Sequence, residues 1–235
     1  MIKKRVYSLS FFLLFIPLIL QSYESLAEQT FTGGTLQAYW RAAWNEEATI
    51  NTPELRFRYF PAKGSPEHDK IVEISFNMND AEKTDFIKNN FQKIPAKFLK
   101  YKEWYVNQKG DLTINQIKHY IECDTDHYIA SFVSFKPVYA ASDATSEEKA
   151  TSCNRGGFPY LTFYTLKADV KAGQLKSEPS ETAKNSYTLC QQESIIKIET
   201  INDEWMYAAV YDSDAKNLMS SRKGYIKIKD LTPLN

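Results

Sequence analysis

The sequence predicts an α+β N-terminal domain with an antiparallel sheet, followed by a small all-β barrel. Three observations carry this expectation. Polarity alternates residue by residue in several stretches of the first half, and in two places there it lengthens to helical spacing. After a polar tract at 140–157, only short alternating runs separated by turn residues remain, up to residue 235. The domains expected are therefore 30–139 and 158–235, joined by a linker at 140–157. Composition agrees with a folded chain. The 235 residues are 43% hydrophobic and 25% charged, enough for one or two domains with a real core and far from a disordered or collagen-like sequence. With 29 basic against 29 acidic side chains and no basic stretch, no nucleic-acid partner is expected, because phosphate neutralisation needs a basic footprint.

Residues 1–27 read as a signal peptide. Lys3, Lys4 and Arg5 form a basic start, the run from Leu9 to Leu20 is apolar apart from Ser10 and Pro17, and Ser25 and Ala27 supply small residues before a cut after Ala27. The run is shorter than the roughly 20 residues a bilayer span needs, so no stable membrane span is expected after cleavage. The expected location is periplasmic or secreted.

In the mature chain a helix is expected from Leu36 to Ala48, where Leu36, Trp40, Ala43 and Trp44 share a helical face. Leu55, Phe57 and Tyr59 alternate with Arg56 and Arg58, and Val72, Ile74, Phe76 and Met78 alternate with Glu73, Ser75 and Asn77, so both stretches read as strands. Asn79 and Glu82 form a capping box for a second helix, with Phe86, Ile87, Phe91 and Ile94 on one face and Pro95 ending it. Strands follow at Trp104-Tyr105-Val106, at Leu112 to Cys123 after a turn around Gln108-Lys109-Gly110, and at Tyr128 to Val138. The tract from Ala140 to Ser152 has no large apolar residue and reads as a long loop or linker.

Export places the three cysteines in an oxidising compartment. Cys123 and Cys153 are the expected disulfide, a staple over a loop of about 30 residues worth on the order of 3 kcal/mol in the chain-entropy model. Cys190 lies in Tyr187-Thr188-Leu189-Cys190, which reads as a strand, and is expected to be a small buried side chain.

The last third of the chain resembles the bacterial SH3-like (SH3b) domain. The matching stretches are Thr165 to Val170 as a first strand, Leu175-Lys176-Ser177-Glu178-Pro179 as the "L-x-x-x-P" arm, and Ser194 to Glu199 as the "v-x-v" strand. Asp203 to Val210 follows as "dgW-x-x-V", Lys223-Gly224-Tyr225-Ile226 as "k-G-W-V", and Leu231 closes the pattern. Tyr225 stands where Trp is usual, and residues 212–222 lengthen the hairpin before Gly224. The resemblance implies an exported cell-envelope protein with a small barrel that binds on its outer loops. Independently, a barrel this small has an interior that only its own side chains fill.

No enzyme chemistry is expected. There is no G-x-S-x-G, H-E-x-x-H, G-x-x-x-x-G-K-[ST] or G-x-G-x-x-G, so catalytic residues and cofactors are both set at none. His119, Glu122, Cys123, Asp124, Asp126 and His127 carry ligand-type atoms, but they lie in strand-like sequence around a turn, so no metal site is assigned. Aromatic residues are the richer signal, and Tyr164, Trp205, Tyr207 and Tyr225 are the expected ligand-binding residues. The function expected is non-enzymatic binding of an envelope protein, a peptide or peptidoglycan. The alternative is a periplasmic immunity or inhibitor protein that neutralises a secreted toxin or hydrolase.

Overall fold

The computed structural model describes residues 27–43, 52–122, 125–139 and 157–234. The signal-peptide segment up to residue 26 and both Cys123 and Cys153 lie outside them.

Five strands close into a barrel: β1 (Gln29–Ala43), β2 (Thr52–Phe60), β3 (Val72–Ser75), β4 (Tyr105–Glu122) and β5 (Thr125–Pro137). Their order is β1-β2-β3-β5-β4, with β4 returning to β1 and β3 lying parallel to β5. With helices between β3 and β4, this is the topology of an OB-type barrel, a fold that by itself assigns no function. Leu36, Ala38 and Trp40 of β1 face its interior with Leu55, Phe57 and Tyr59 of β2.

The α+β expectation is corrected here. The segment at Leu36–Ala43 is strand rather than helix, and residues 44–48 lie outside those described. Leu36 and Trp40 satisfy a period of 3.6 as well as a period of 2, and Ala38, buried between them, decides for the strand. Among the described residues only α1 (Asp80–Asn90) and the five-residue α2 (Ala96–Lys100) are α-helical. The capping box on α1 is formed as read: Asn79 accepts from the Ala81 and Glu82 backbone, and Glu82 accepts from the Asn79 backbone. The helix ends at Asn90, however, and Pro95 opens α2 instead of closing α1.

Gly110 is likewise no turn, because β4 runs straight through it. A side chain there would meet the Phe135 ring at 2.5 Å and the Lys136 carbonyl at 2.6 Å. Its smallness serves close approach between strands. Barrel closure centres on Tyr59, whose hydroxyl accepts from Gly34 N–H at 2.9 Å and donates to the Gly110 carbonyl at 2.9 Å. A Cβ at Gly34 would stand 2.4 Å from that hydroxyl. Burial pushes the Tyr59 phenol above its ordinary range, so it stays neutral.

The remaining strands are β6 (Phe163–Leu166), β7 (Ala172–Lys176), β8 (Asn185–Cys190), β9 (Ile195–Thr200), β10 (Trp205–Tyr211), β11 (Met219–Lys227) and β12 (Leu231–Pro233). They form one sheet in the order β12-β6-β9-β10-β11-β7-β8. A separate SH3-like barrel is therefore not what the C-terminal strands build. The sheet keeps two edges, and one face is shared with the first barrel. Its inner face carries its own core, with Leu175, Leu189, Ile195, Met206 and Ile226. On the other face, Phe163, Ile196 and Leu218 pack with Phe158, Tyr160 and Leu161 and with Tyr39 of the barrel.

Replacing Tyr59 by Phe removes the hydroxyl that joins β1, β2 and β4 and leaves Gly34 N–H buried without its acceptor. The expected loss is about 1–3 kcal/mol, read as a lower urea midpoint with an unchanged slope. A midpoint within error of wild type would show that the barrel closes without this tie.

Candidate functional site

The site grows from the junction of barrel and sheet. The segment Lys102-Glu103-Trp104 leaves α2 and enters β4 with two residues in the left-handed region, Lys102 at φ 50° and Trp104 at φ 65°. Neither is glycine, so each position costs on the order of 1–3 kcal/mol and must be held by its surroundings. Between them, Glu103 is 4% exposed. Its carboxylate accepts from Thr200 N–H at 3.1 Å and from the Thr200 hydroxyl at 2.9 Å, and pairs with Lys197 Nζ at 3.1 Å. All three contacts come from β9, so one acidic side chain of the barrel unit grips one strand of the sheet. Trp104 adds its indole N–H to the Ile198 carbonyl, and Tyr101 donates to the Ile201 carbonyl at 3.4 Å.

A second tie lies on the outer face of β2. Arg58 is 2% exposed. It donates to Gln37 at 2.7 Å and to the Gly157 carbonyl at 3.2 Å, with its guanidinium over Tyr39 and Phe60 at 5.3 and 4.9 Å. The segment Gly157 to Leu161 is thereby laid on the barrel. Burial, reinforced by Glu73, pushes the Tyr39 phenol above its ordinary range, which marks Tyr39 as neutral packing.

Beside the first tie a cleft of about 370 Å³ opens, lined by Pro95, Lys97, Phe98, Glu103, Trp104, Tyr105 and Ile198. Lys97 stands 3.6 Å from Glu199. From Glu199 a row of paired positions crosses the sheet: Glu199 opposite Tyr207, Tyr207 opposite Tyr225, and Tyr225 opposite Lys176. Directly paired residues share a face, so cleft and tyrosines make one continuous strip.

The four expected ligand residues separate against this geometry. Tyr207 and Tyr225 come together, with rings 4.9 Å apart at 45° and both half-buried. Trp205 shares their face but is only 5% exposed, with Lys227 Nζ 5.6 Å from its ring centroid. It is packing rather than a surface anchor. Tyr164 pairs with Ile195 and packs on the inner core, on the opposite face from Tyr207. The cleft was missed because Glu103, Trp104 and Ile198 carry no motif and are joined only by tertiary packing.

Elsewhere, Cys190 is exposed and unbonded, not buried as expected. His119 bonds Asp126 at 2.6 Å, while His127 stacks on Tyr120. The register pairs Tyr120 with His127, so the two histidines lie on opposite faces of the β4–β5 hairpin. No group of three metal-binding side chains occurs among the described residues. No helix among them is long and apolar enough to cross a membrane. In comparisons with known proteins, the chain matches no family model, no curated protein and no solved structure.

Two substitutions test the site's architecture. Glu103→Ala leaves Lys197 without its buried partner and should destabilise the protein by about 3–5 kcal/mol, whereas loss of an ordinary surface pair costs under about 1 kcal/mol. Chemical denaturation separates the two. Trp205→Ala should cost about 3–5 kcal/mol, and Tyr225→Ala should leave the fold intact by circular dichroism. The reverse order would exchange their roles.

Proposed function

We propose that this protein is an exported, non-enzymatic binding protein of the bacterial envelope that holds a partner along the strip formed by the junction cleft, Tyr207 and Tyr225. The observation that carries the reading is the continuity of that strip. The cleft is bordered by Lys97, which pairs with Glu199, and Tyr207 and Tyr225 follow Glu199 in cross-strand register. Tyrosines in such a place supply large contact area at little cost in side-chain entropy while their hydroxyls stay near water. Rigid walls lower the ordering penalty of association. Export is supported by the basic start, the apolar run and the small residues before Glu28.

The experiment is capture from an envelope extract on immobilised mature protein, compared with Tyr207→Ala and Tyr225→Ala. Each truncation should weaken the captured partner by about 2 kcal/mol, roughly thirtyfold, as central aromatic anchors do. Equal capture by both folded variants and wild type would remove the strip from the binding surface.

A further inference from the structure

We infer that the β4–β5 hairpin pairs with the same hairpin of a second copy of this chain, the two β4 strands lying antiparallel about Tyr120. The hairpin outruns the barrel. Among the described residues β1 accompanies β4 only as far as Gln29 opposite Ile114, whereas from Lys118 to Glu122 β4 is paired with β5 alone. A bulge between Asn115 and Lys118, with Gln116 in the left-handed region at φ 51°, separates this arm from the barrel part of the strand. The arm is a formed ladder: His119 bonds Asp126 at 2.6 Å and stacks on Tyr128, and Tyr120 stacks on His127. A formed strand with an open side is a template for another strand, and charge or proline commonly blunts it. This arm instead carries Ile121, at 68% the most exposed large apolar side chain among the described residues, with Tyr120 40% and Ile117 41% exposed beside it.

The occupant is a second copy because the arm complements itself. Two five-residue arms that overlap fully and antiparallel meet with Tyr120 on Tyr120, position 119 against 121 and position 118 against 122. The sequence holds lysine at 118 and glutamate at 122, so the register of greatest overlap is also the one that sets opposite charges against each other at both ends. It lays Ile121 of each copy against His119 of the other. The two-fold relation closes the contact, giving a dimer rather than a fibre. The chain's own leader is the rival occupant. In the exported form proposed above, on which this inference rests, the chain begins at Glu28, one residue before the Gln29–Ile114 pair, and has no further length to run along the arm. The arm shares no residue with the cleft, Tyr207 or Tyr225, so a dimer carries two binding strips and gains avidity on a partner that repeats.

The test is sedimentation equilibrium of the full mature chain over a concentration series. Wild type should show a monomer–dimer equilibrium. Lys118→Glu and Glu122→Lys each set like charges together at both ends and should weaken it about tenfold, since two pairs are lost at once. The double exchange restores opposite charges and should regain wild-type affinity. Ile121→Lys should leave a monomer, and Thr188→Lys on β8 should change nothing. Lys118, Ile121 and Thr188 are exposed, so these variants should fold, as circular dichroism can check. If Glu122→Lys does not fold, Lys118→Glu and Ile121→Lys decide. A monomer at every concentration, a dimer indifferent to Lys118→Glu, a folded double variant no tighter than the single ones, or a dimer lost with Thr188→Lys would overturn the pairing. A monomer whose partner capture still depends on Tyr225 would reject the pairing and leave the binding role standing. Residues 1–27 found by intact mass on the natural protein would reject export, and with it the free arm, even where the chain from Glu28 dimerises.

Discussion

The burial of a single carboxylate sets the geometry of this molecule. Glu103 is removed from water and compensated entirely from β9, by Lys197 and Thr200. A buried charge that loses its partners is among the costlier defects a fold can carry, so the barrel and the sheet cannot separate at this point without a large penalty. The left-handed residues on either side of Glu103 show what the contact requires, since the chain bends unfavourably at Lys102 and Trp104 to deliver the side chain. Leu218, also in the left-handed region, lies in the apolar core of the same junction.

Polar grip and apolar packing then reinforce one another. Tyr39 and Tyr105 on the barrel side meet Tyr160, Phe163 and Ile196 on the sheet side, and the Tyr105 and Tyr160 rings lie 4.5 Å apart. Aromatic surface of this kind left facing water would be unfavourable in both halves. Relative motion is the default when domains share a small polar interface. Here the shared surface is a core in its own right, and the cleft walls come from both sides of it.

Local patterns were legible in the sequence, and long-range ones were not. Leu55, Phe57 and Tyr59 declared a half-buried strand by strict alternation, and Asn79 with Glu82 declared a helix start by a local hydrogen-bond pair. Gly110 misled because glycine marks both turns and close strand contacts, and only the Phe135 ring distinguishes the two. Arg58 alternates as a solvent-facing residue should, yet the segment after Gly157 covers it. Of the four aromatic residues singled out, Tyr207 and Tyr225 lie side by side because they are directly paired on neighbouring strands. Tyr164 lies on the opposite face from them, because its face depends on its pairing with Ile195, a register the sequence does not display. Of the stretches read as SH3-like, 194–199, 203–210 and 223–226 overlap β9, β10 and β11, whereas 167–170 lie past the end of β6; whether strands close into a barrel is decided by their neighbours, and here one face of the sheet packs on the first barrel.

The two edges of the C-terminal sheet are unlike. Strand β12 is three residues long and ends in Pro233, which cannot donate a hydrogen bond to an added strand. Strand β8 is twice that length, and none of its residues, Asn185 to Cys190, is charged or proline. Of the two sheet edges, β8 is therefore the weaker one for unwanted self-assembly. At high concentration, during refolding, or after oxidation of the exposed Cys190, strand-to-strand addition into oligomers would start there, and a lysine placed on that edge is the simplest way to keep the protein monodisperse.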